Sequence, residues 1–345
     1  MGSTVSFGNA PQANNDIFAF TEDTSSILVL NVMVNDLGGA AKTLFSVDDG
    51  TSASASTKTY APADLLAKDV TYGNDAAGLA GTSDHSALGA RIWIESDGTI
   101  HYDKGDINAQ LQALSAGDTL TDTFTYAIQL GNGTLSWATV TLQFAGLNDA
   151  PIIVVGSTTA SAAFSEAANT TGSSTPDQAG GTIVFSDVDA HDTHTVSQSG
   201  PSFAWSSGAL TSVQAAALTA ASNLNLVASD STNVATATGS VKWTYSAADK
   251  AFDFLAAGET LTVTYTVTID DGHGGTVIQP VTVTVTGTND QPTIVPGSTT
   301  ATGSIMEAAG ATGSATPDTA RLAENRIFAE PGKPGKLAPM FFSWR

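Results

Sequence analysis

Residues Leu261–Gly287 read LTVTYTVTIDDGHGGTVIQPVTVTVTG. In Leu261–Ile269 and again in Val281–Gly287, apolar residues alternate with threonine, the period of a strand with one face in a core and one toward water. Threonine suits the wet face because its branched Cβ fits a pleated surface and adds no charge. Between the two runs, Asp270–Gly275 (DDGHGG) holds two acids and three glycines, residues that turn a chain, so the stretch predicts an antiparallel hairpin. The same signature recurs upstream. TIVFSDVD and HTVSQS predict a second strand pair around an acidic turn, and VKWTYSA predicts another strand. Helix signal is confined to short pieces such as Ile107–Leu114 and Ala247–Leu255. Many short strands, glycine-rich turns and few helices describe an all-β chain of antiparallel β-sandwiches.

Internal repetition divides the chain. NDAP at Asn148–Pro151 returns as NDQP at Asn289–Pro292, a shift of 141 residues, and 20 of 32 positions of Asn148–Ala179 are identical to Asn289–Ala320. AGDTLTDTFTYAI from Ala116 aligns at the same shift with AGETLTVTYTVTI from Ala257. The expected organisation is a diverged sandwich over 1–147, a complete unit over 148–288, and the start of a truncated third repeat over 289–320. Residues 321–345 form a non-repeat tail that carries 5 of the 12 basic residues and only 2 acids. It reads as a disordered truncation or frameshift scar.

Charge limits the partners. The 345 residues contain 33 Asp and Glu against 12 Lys and Arg, a net charge of −21. Such a field repels nucleic acid and attracts metal cations or basic surfaces. With 41% hydrophobic residues the chain can nevertheless bury a real core. There are no cysteines, which removes disulfides and thiolate metal sites. The longest apolar stretch, near Ile27–Val34, falls far short of the ~20 residues that span a bilayer, so no membrane insertion is expected. Neither GxSxG nor HExxH is present, and no enzymatic activity is expected. Trp137 and Trp243 alternate with polar neighbours in strands and read as core or groove fillers before they read as a sugar-stacking platform.

The acids gather in turns and at unit boundaries: Glu166, Asp187 and Asp189 with Asp192, Asp270 and Asp271, and Asn289–Asp290. Turn carboxylates, Asn side chains and free carbonyls are the hard oxygen ligands that Ca2+ takes, whereas Mg2+ asks for stricter geometry. Asp and Asn also favour turns through bonds to their own backbone, which leaves a plain structural reading beside the metal one.

YTVTIDDGHGGTVIQPVTVTVTGTNDQP, together with FSDVDAHDTHTVS and FDFLAAGETL, resembles the VCBS repeat of large bacterial surface proteins, a pattern related to cadherin-like (Ig-like) domains. NNDIFAFTED followed by VMVND resembles another cadherin-like repeat common in RTX-type adhesins. The resemblance implies tandem sandwiches set end to end, with Ca2+ stiffening the linkers. It implies ligands Glu22, Asn148, Asp149, Asp187 and Asp189 before the complete unit, where Gln129–Gly131 leaves the acidic turn missing. After that unit it implies Glu166, Asp270 or Asp271, Asn289 and Asp290, with Phe328 and Glu330 where a following Asp-x-Asp belongs. The function so implied is a monomeric stalk segment of a secreted or cell-surface bacterial adhesin, serving cell adhesion or biofilm formation and presenting a tip to glycans or proteins of another cell. The alternative is a carbohydrate-binding accessory module of a secreted enzyme.

Overall fold

The computed structural model describes residues 12–48, 65–72, 84–230 and 238–290, and beyond them only the backbone pairing of 293–294 with 328–329. The remainder of the expected third repeat and of the 321–345 tail, the side chains at 328 and 330 and most of 51–86 lie outside the described residues.

The chain is built of strands. The first group comprises β1 (Asp16–Thr21), β2 (Ile27–Leu30), β3 (Thr43–Asp48), β4 (Thr71–Tyr72), β5 (Asp84–His85), β6 (Arg91–Glu95), β7 (Ile100–Asp103), β8 (Thr119–Gln129) and β9 (Leu135–Ala145). They form one sheet ordered β1-β9-β8-β3 and a second ordered β2-β7-β6-β4, with β5 also paired to β6. The two sheets share a core that includes Leu30, Ile92, Tyr102, Phe124, Tyr126 and Phe144.

The second group comprises β10 (Ile152–Ile153), β11 (Ser161–Ser165), β12 (Pro176–Ser186), β13 (Thr195–Gln198), β14 (Ser202–Trp205), β15 (Asn223–Ser229), β16 (Gly239–Ala248), β17 (Thr260–Asp270) and β18 (Thr276–Thr286). One sheet runs β10-β12-β16-β15; the other runs β11-β18-β17-β13, with β14 also on β17. Their separate core includes Phe185, Trp243, Tyr245, Phe252, Leu261 and Val283. The hairpin that decides the reading is β17–β18, paired from Thr260↔Thr286 to Asp270↔Thr276. Along β17 the alternation is strict: Leu261, Val263, Tyr265, Val267 and Ile269 are buried and the threonines between them half-buried.

Both sandwiches open in the same way. β1 runs parallel to β9 and β11 parallel to β18, so the early strand of each unit lies beside its last. Trp243 is fully buried, with its indole N–H donated to the Thr159 carbonyl at 2.7 Å, as its position in a core strand predicts.

Two local expectations change. TIVFSDVD and HTVSQS do not pair with each other. β12 pairs with β10 and β16, while β13 pairs with β17 in the opposite sheet. The acidic turn between them therefore crosses the end of the sandwich from one sheet to the other, which carries its carboxylates onto the pole. The helical pieces also differ. Lys104–Ile107 is a 3-10 turn followed by α1 (Asn108–Leu111), and the counterpart in the second sandwich is only a 3-10 turn at Asp249–Ala251. The longest helix among the described residues, α2 (Ser212–Ala221), begins at a capping box in which the Thr211 side chain accepts from Gln214 N and the Gln214 side chain accepts from Thr211 N.

Candidate metal centre

Three successive linker residues are tied to three different elements. Leu147 N donates to Glu22 Oε1 at 2.7 Å, at the end of β1 in the first sandwich. Asn148 Nδ2 donates to Asp271 Oδ2 at 3.1 Å, in the β17–β18 turn. Asp149 N donates to Asp189 Oδ2 at 2.8 Å, in the acidic turn after β12. The linker is thereby held between the two poles, and one carboxylate oxygen from each of Glu22, Asp149 and Asp189 lies within 4.8 Å of the other two.

The electrostatics of this triad are unfavourable as it stands. Glu22 Oε2, Asp149 Oδ2 and Asp189 Oδ1 are buried without a hydrogen-bond partner, as is Asn148 Oδ1. Burial, with the neighbouring charges of Asp189, Asp149 and Asp23, pushes the Glu22 carboxyl up to about 7 against the bond from Leu147. Asp189 is likewise pushed up to about 7, by burial and by Asp192, Asp187 and Asp149. Asp149 is raised by burial and by Asp23 and Asp187. Buried carboxylates that repel each other and keep unused lone pairs fit a hard divalent cation, which takes several oxygen ligands and favours their ionised form.

A second group lies at the same pole. Asp192, Asp271 and His273 each bring one ligand atom into mutual reach, and His273 Nδ1 lies 3.2 Å from Asp192 Oδ1. Asp271 behaves differently from the triad. Burial would raise it, but the amides of His273 and Gly275 and the Asn148 side chain outweigh that and hold it below the usual carboxylate range. Gly275 is required here, because a Cβ would fall 2.8 Å from Ala150 Cα and run into the Asp271 carboxylate.

Asp187 has both carboxylate oxygens engaged beside the triad. Its Oδ1 accepts from Asp189 N at 3.1 Å and its Oδ2 lies 3.0 Å from Nε2 of the buried His194. Asp270 is occupied with capping Gly272 N at 2.8 Å.

The sequence reading grouped the acidic turn with Glu166, Asn289 and Asp290; the structure brings Asp271 to Asn148 instead. The reason is length. β17 and β18 each span 11 residues, so their turn lies a full strand away from the end that leads to Thr288. Glu166 and Asp290 stand at that far pole. Glu166 Oε1 accepts from Thr288 N at 2.7 Å, while its Oε2 is buried without a hydrogen-bond partner. Burial and the charges of Asp290, Asp249 and Asp253 push Glu166 up to about 7. Asp290 Oδ1 accepts from Thr170 N at 3.1 Å, and Asn289 Nδ2 donates to the Asp290 carbonyl at 3.4 Å. Asp249 and Asp253, inside DKAFD, were not read as pole residues, because that segment carries a helical pattern.

The two sandwiches also touch directly. Ala190 N donates to Ala113 O at 3.3 Å, His191 N to Ser115 Oγ at 3.1 Å, and His191 Nδ1 lies 2.7 Å from Asp118 Oδ2.

No family model matches the chain, and no curated protein matches it. Among solved structures it is similar to protocadherin gammaB7 EC3-6, at 14% identity over 83% of this chain and 49% of that one, with a TM-score of 0.34. It is similar to Drosophila N-cadherin EC1-4 at 10% identity over 81% and 50%, with a TM-score of 0.34. It is also similar to CfaE, the adhesive subunit of CFA/I fimbria of enterotoxigenic Escherichia coli, at 11% identity over 82% and 100%, with a TM-score of 0.35. The chain spans about half the length of the two cadherin structures.

Proposed function

We propose that the chain is a stalk segment of an extracellular bacterial adhesin, in which consecutive β-sandwich units, divided near residue 148, are locked end to end by Ca2+ at their linkers. Its work is mechanical: it sets the spacing and stiffness of an array whose binding tip meets glycans or proteins of another cell, in adhesion or biofilm formation. The observation that carries this reading is the meeting of Glu22, Asp149 and Asp189, from one sandwich, the linker and the other sandwich, with an unpartnered buried oxygen on each. An ion there would draw its ligands from both units and so resist their bending. Asn148 Oδ1 and the Asp192–Asp271 pair extend the oxygen-rich surface, and the Glu166 pole offers a similar start for a further unit.

Two observations bear on the other readings. Among the described tryptophans, Trp93 and Trp243 are buried, Trp137 packs against Leu65 and Ala127, and Trp205 packs against Phe254, so packing takes up the aromatic surface that a glycan platform would need. Among the described residues no helix is long and apolar enough to cross a membrane.

The test is a pair of thermal melts, in chelator and in millimolar Ca2+ with Mg2+ as control, on the wild type and on Asp149→Ala/Asp189→Ala. Ca2+ at 100 times its Kd stabilises a folded state by about 2.7 kcal/mol, a rise of several degrees for units of this size. The wild type should show that rise and the double variant should lose most of it. An equal rise in both would remove the linker from the calcium reading.

A further inference from the structure

The poles at which Glu22 and Glu166 stand are built to one plan. Glu22 N donates to Ala145 O at 3.1 Å and Leu147 N returns a bond to Glu22 Oε1; Glu166 N donates to Thr286 O at 3.1 Å and Thr288 N returns a bond to Glu166 Oε1. Beside each glutamate a 3-10 turn begins. Its first amide donates to the residue just ahead of a neighbouring strand: Lys104 N to Ser26 O at 2.9 Å in the first sandwich, Asp249 N to Thr175 O at 3.0 Å in the second. Lys104 and Asp249 therefore occupy the same place in the framework with opposite charge. Both sandwiches carry Asp-Lys here, but shifted by one residue. Asp103 ends β7 and pairs with Arg91 at 2.6 Å, which leaves the pole position to the lysine. In the second sandwich Lys250 points away to Ser174 Oγ, and Asp249 keeps the pole.

Lys104 is 3% exposed, unusual for a lysine on the surface of an acidic chain. Its ammonium donates to the backbone carbonyl of Glu22 and feels the charges of Asp23 and Glu22. At the other pole, the Asp249 carboxylate accepts from Ala167 N and Thr170 Oγ1 and adds to the negative field on Glu166. One pole thus carries its own cation where the other carries a further oxygen ligand.

We infer that Lys104 is a built-in cation of the 147–149 junction, filling a cation place that at the Glu166 pole is left for a divalent ion. The inference rests on the calcium reading above. Its consequences are that this junction binds one ion fewer than its twin framework allows, and that the two sandwiches stay docked at lower divalent ion concentrations. The direct contacts of Ala190 and His191 with the first sandwich assist the same end without metal.

The experiment counts Ca2+ bound to the full chain by equilibrium dialysis, with calorimetry for affinity, in the wild type, Lys104→Asp and Lys104→Gln. Lys104→Asp should bind one further Ca2+ per chain, which a purely structural lysine would not produce. Lys104→Gln should bind Ca2+ at the junction about tenfold more tightly, since a positive charge no longer opposes the ion, and should melt lower in chelator. Folding of each variant is checked by circular dichroism. If Lys104→Asp does not fold, Lys104→Gln decides alone. A wild type that binds Ca2+ while both folded variants match it in stoichiometry and affinity overturns the lysine's role and leaves the calcium reading intact. A wild type that takes up no Ca2+ overturns both.

Discussion

Glu22, Asp189 and Glu166 are carboxyls that the fold makes reluctant to ionise, each pushed up to about 7 by burial first and by neighbouring acids second. Between the ordinary carboxylate range and that value, the folded state holds more protons than the unfolded state. Metal-free stability must therefore fall as pH rises through this window. A bound divalent ion requires the ionised form, so ion uptake releases protons and tightens as pH rises over the same range. The melting temperature in chelator should drop between about pH 5 and about pH 8, and the drop should vanish in Ca2+. A flat profile in chelator would mean that these groups are already ionised by some other compensation. The individual acids stand out in the sequence because turns and linkers concentrate them, and the fold brings carboxylate oxygens of Glu22, Asp149 and Asp189 together. Lys104 was not legible. A lone lysine in an acidic stretch reads as a solvated charge, and only the framework beside Glu22 gives it a buried position.

The strand pattern does different work from the helix pattern. Leu261 is fully buried at the start of β17, and its replacement by Ala should cost the second sandwich about 2–5 kcal/mol in denaturant unfolding. Thr211→Ala removes the cap of α2, which buries only Leu218, and should cost about 1 kcal/mol. If the two losses proved equal, the helix would be part of the cooperative core. This contrast follows what could be read in advance. The β17–β18 hairpin stands as its alternation predicts, because period two with threonine leaves one face for a core. The partners of β12 and β13 did not follow from sequence, since local pattern marks a strand and a turn but not the sheet to which each strand is committed. α2 went unread although Thr211 and Gln214 stand at capping-box spacing. Its alanine-rich run has little amphipathic stripe to set it apart.

At the scale of the whole chain, 33 acids against 12 bases make the two sandwiches repel each other, and on the calcium reading an ion at the linker would oppose that repulsion. Small-angle scattering should show a narrower spread of overall lengths in Ca2+ than in chelator, and Asp149→Ala/Asp189→Ala should keep the broad spread in both. A spread that never changes would mean that the contacts of His191 and Ala190 already fix the angle. The parallel placement of β11 beside β18 has a consequence under load. Register pairs from Ser161↔Thr282 to Ser165↔Thr286 lie side by side, with the chain entering β11 from one pole and leaving β18 toward the other. Tension applied between the two ends of the sandwich would pull these neighbours past each other lengthwise, so their hydrogen bonds would share the force and break together rather than unzip singly. The same parallel arrangement joins β1 to β9, so under such a load each sandwich would resist through its own sheared strand pair.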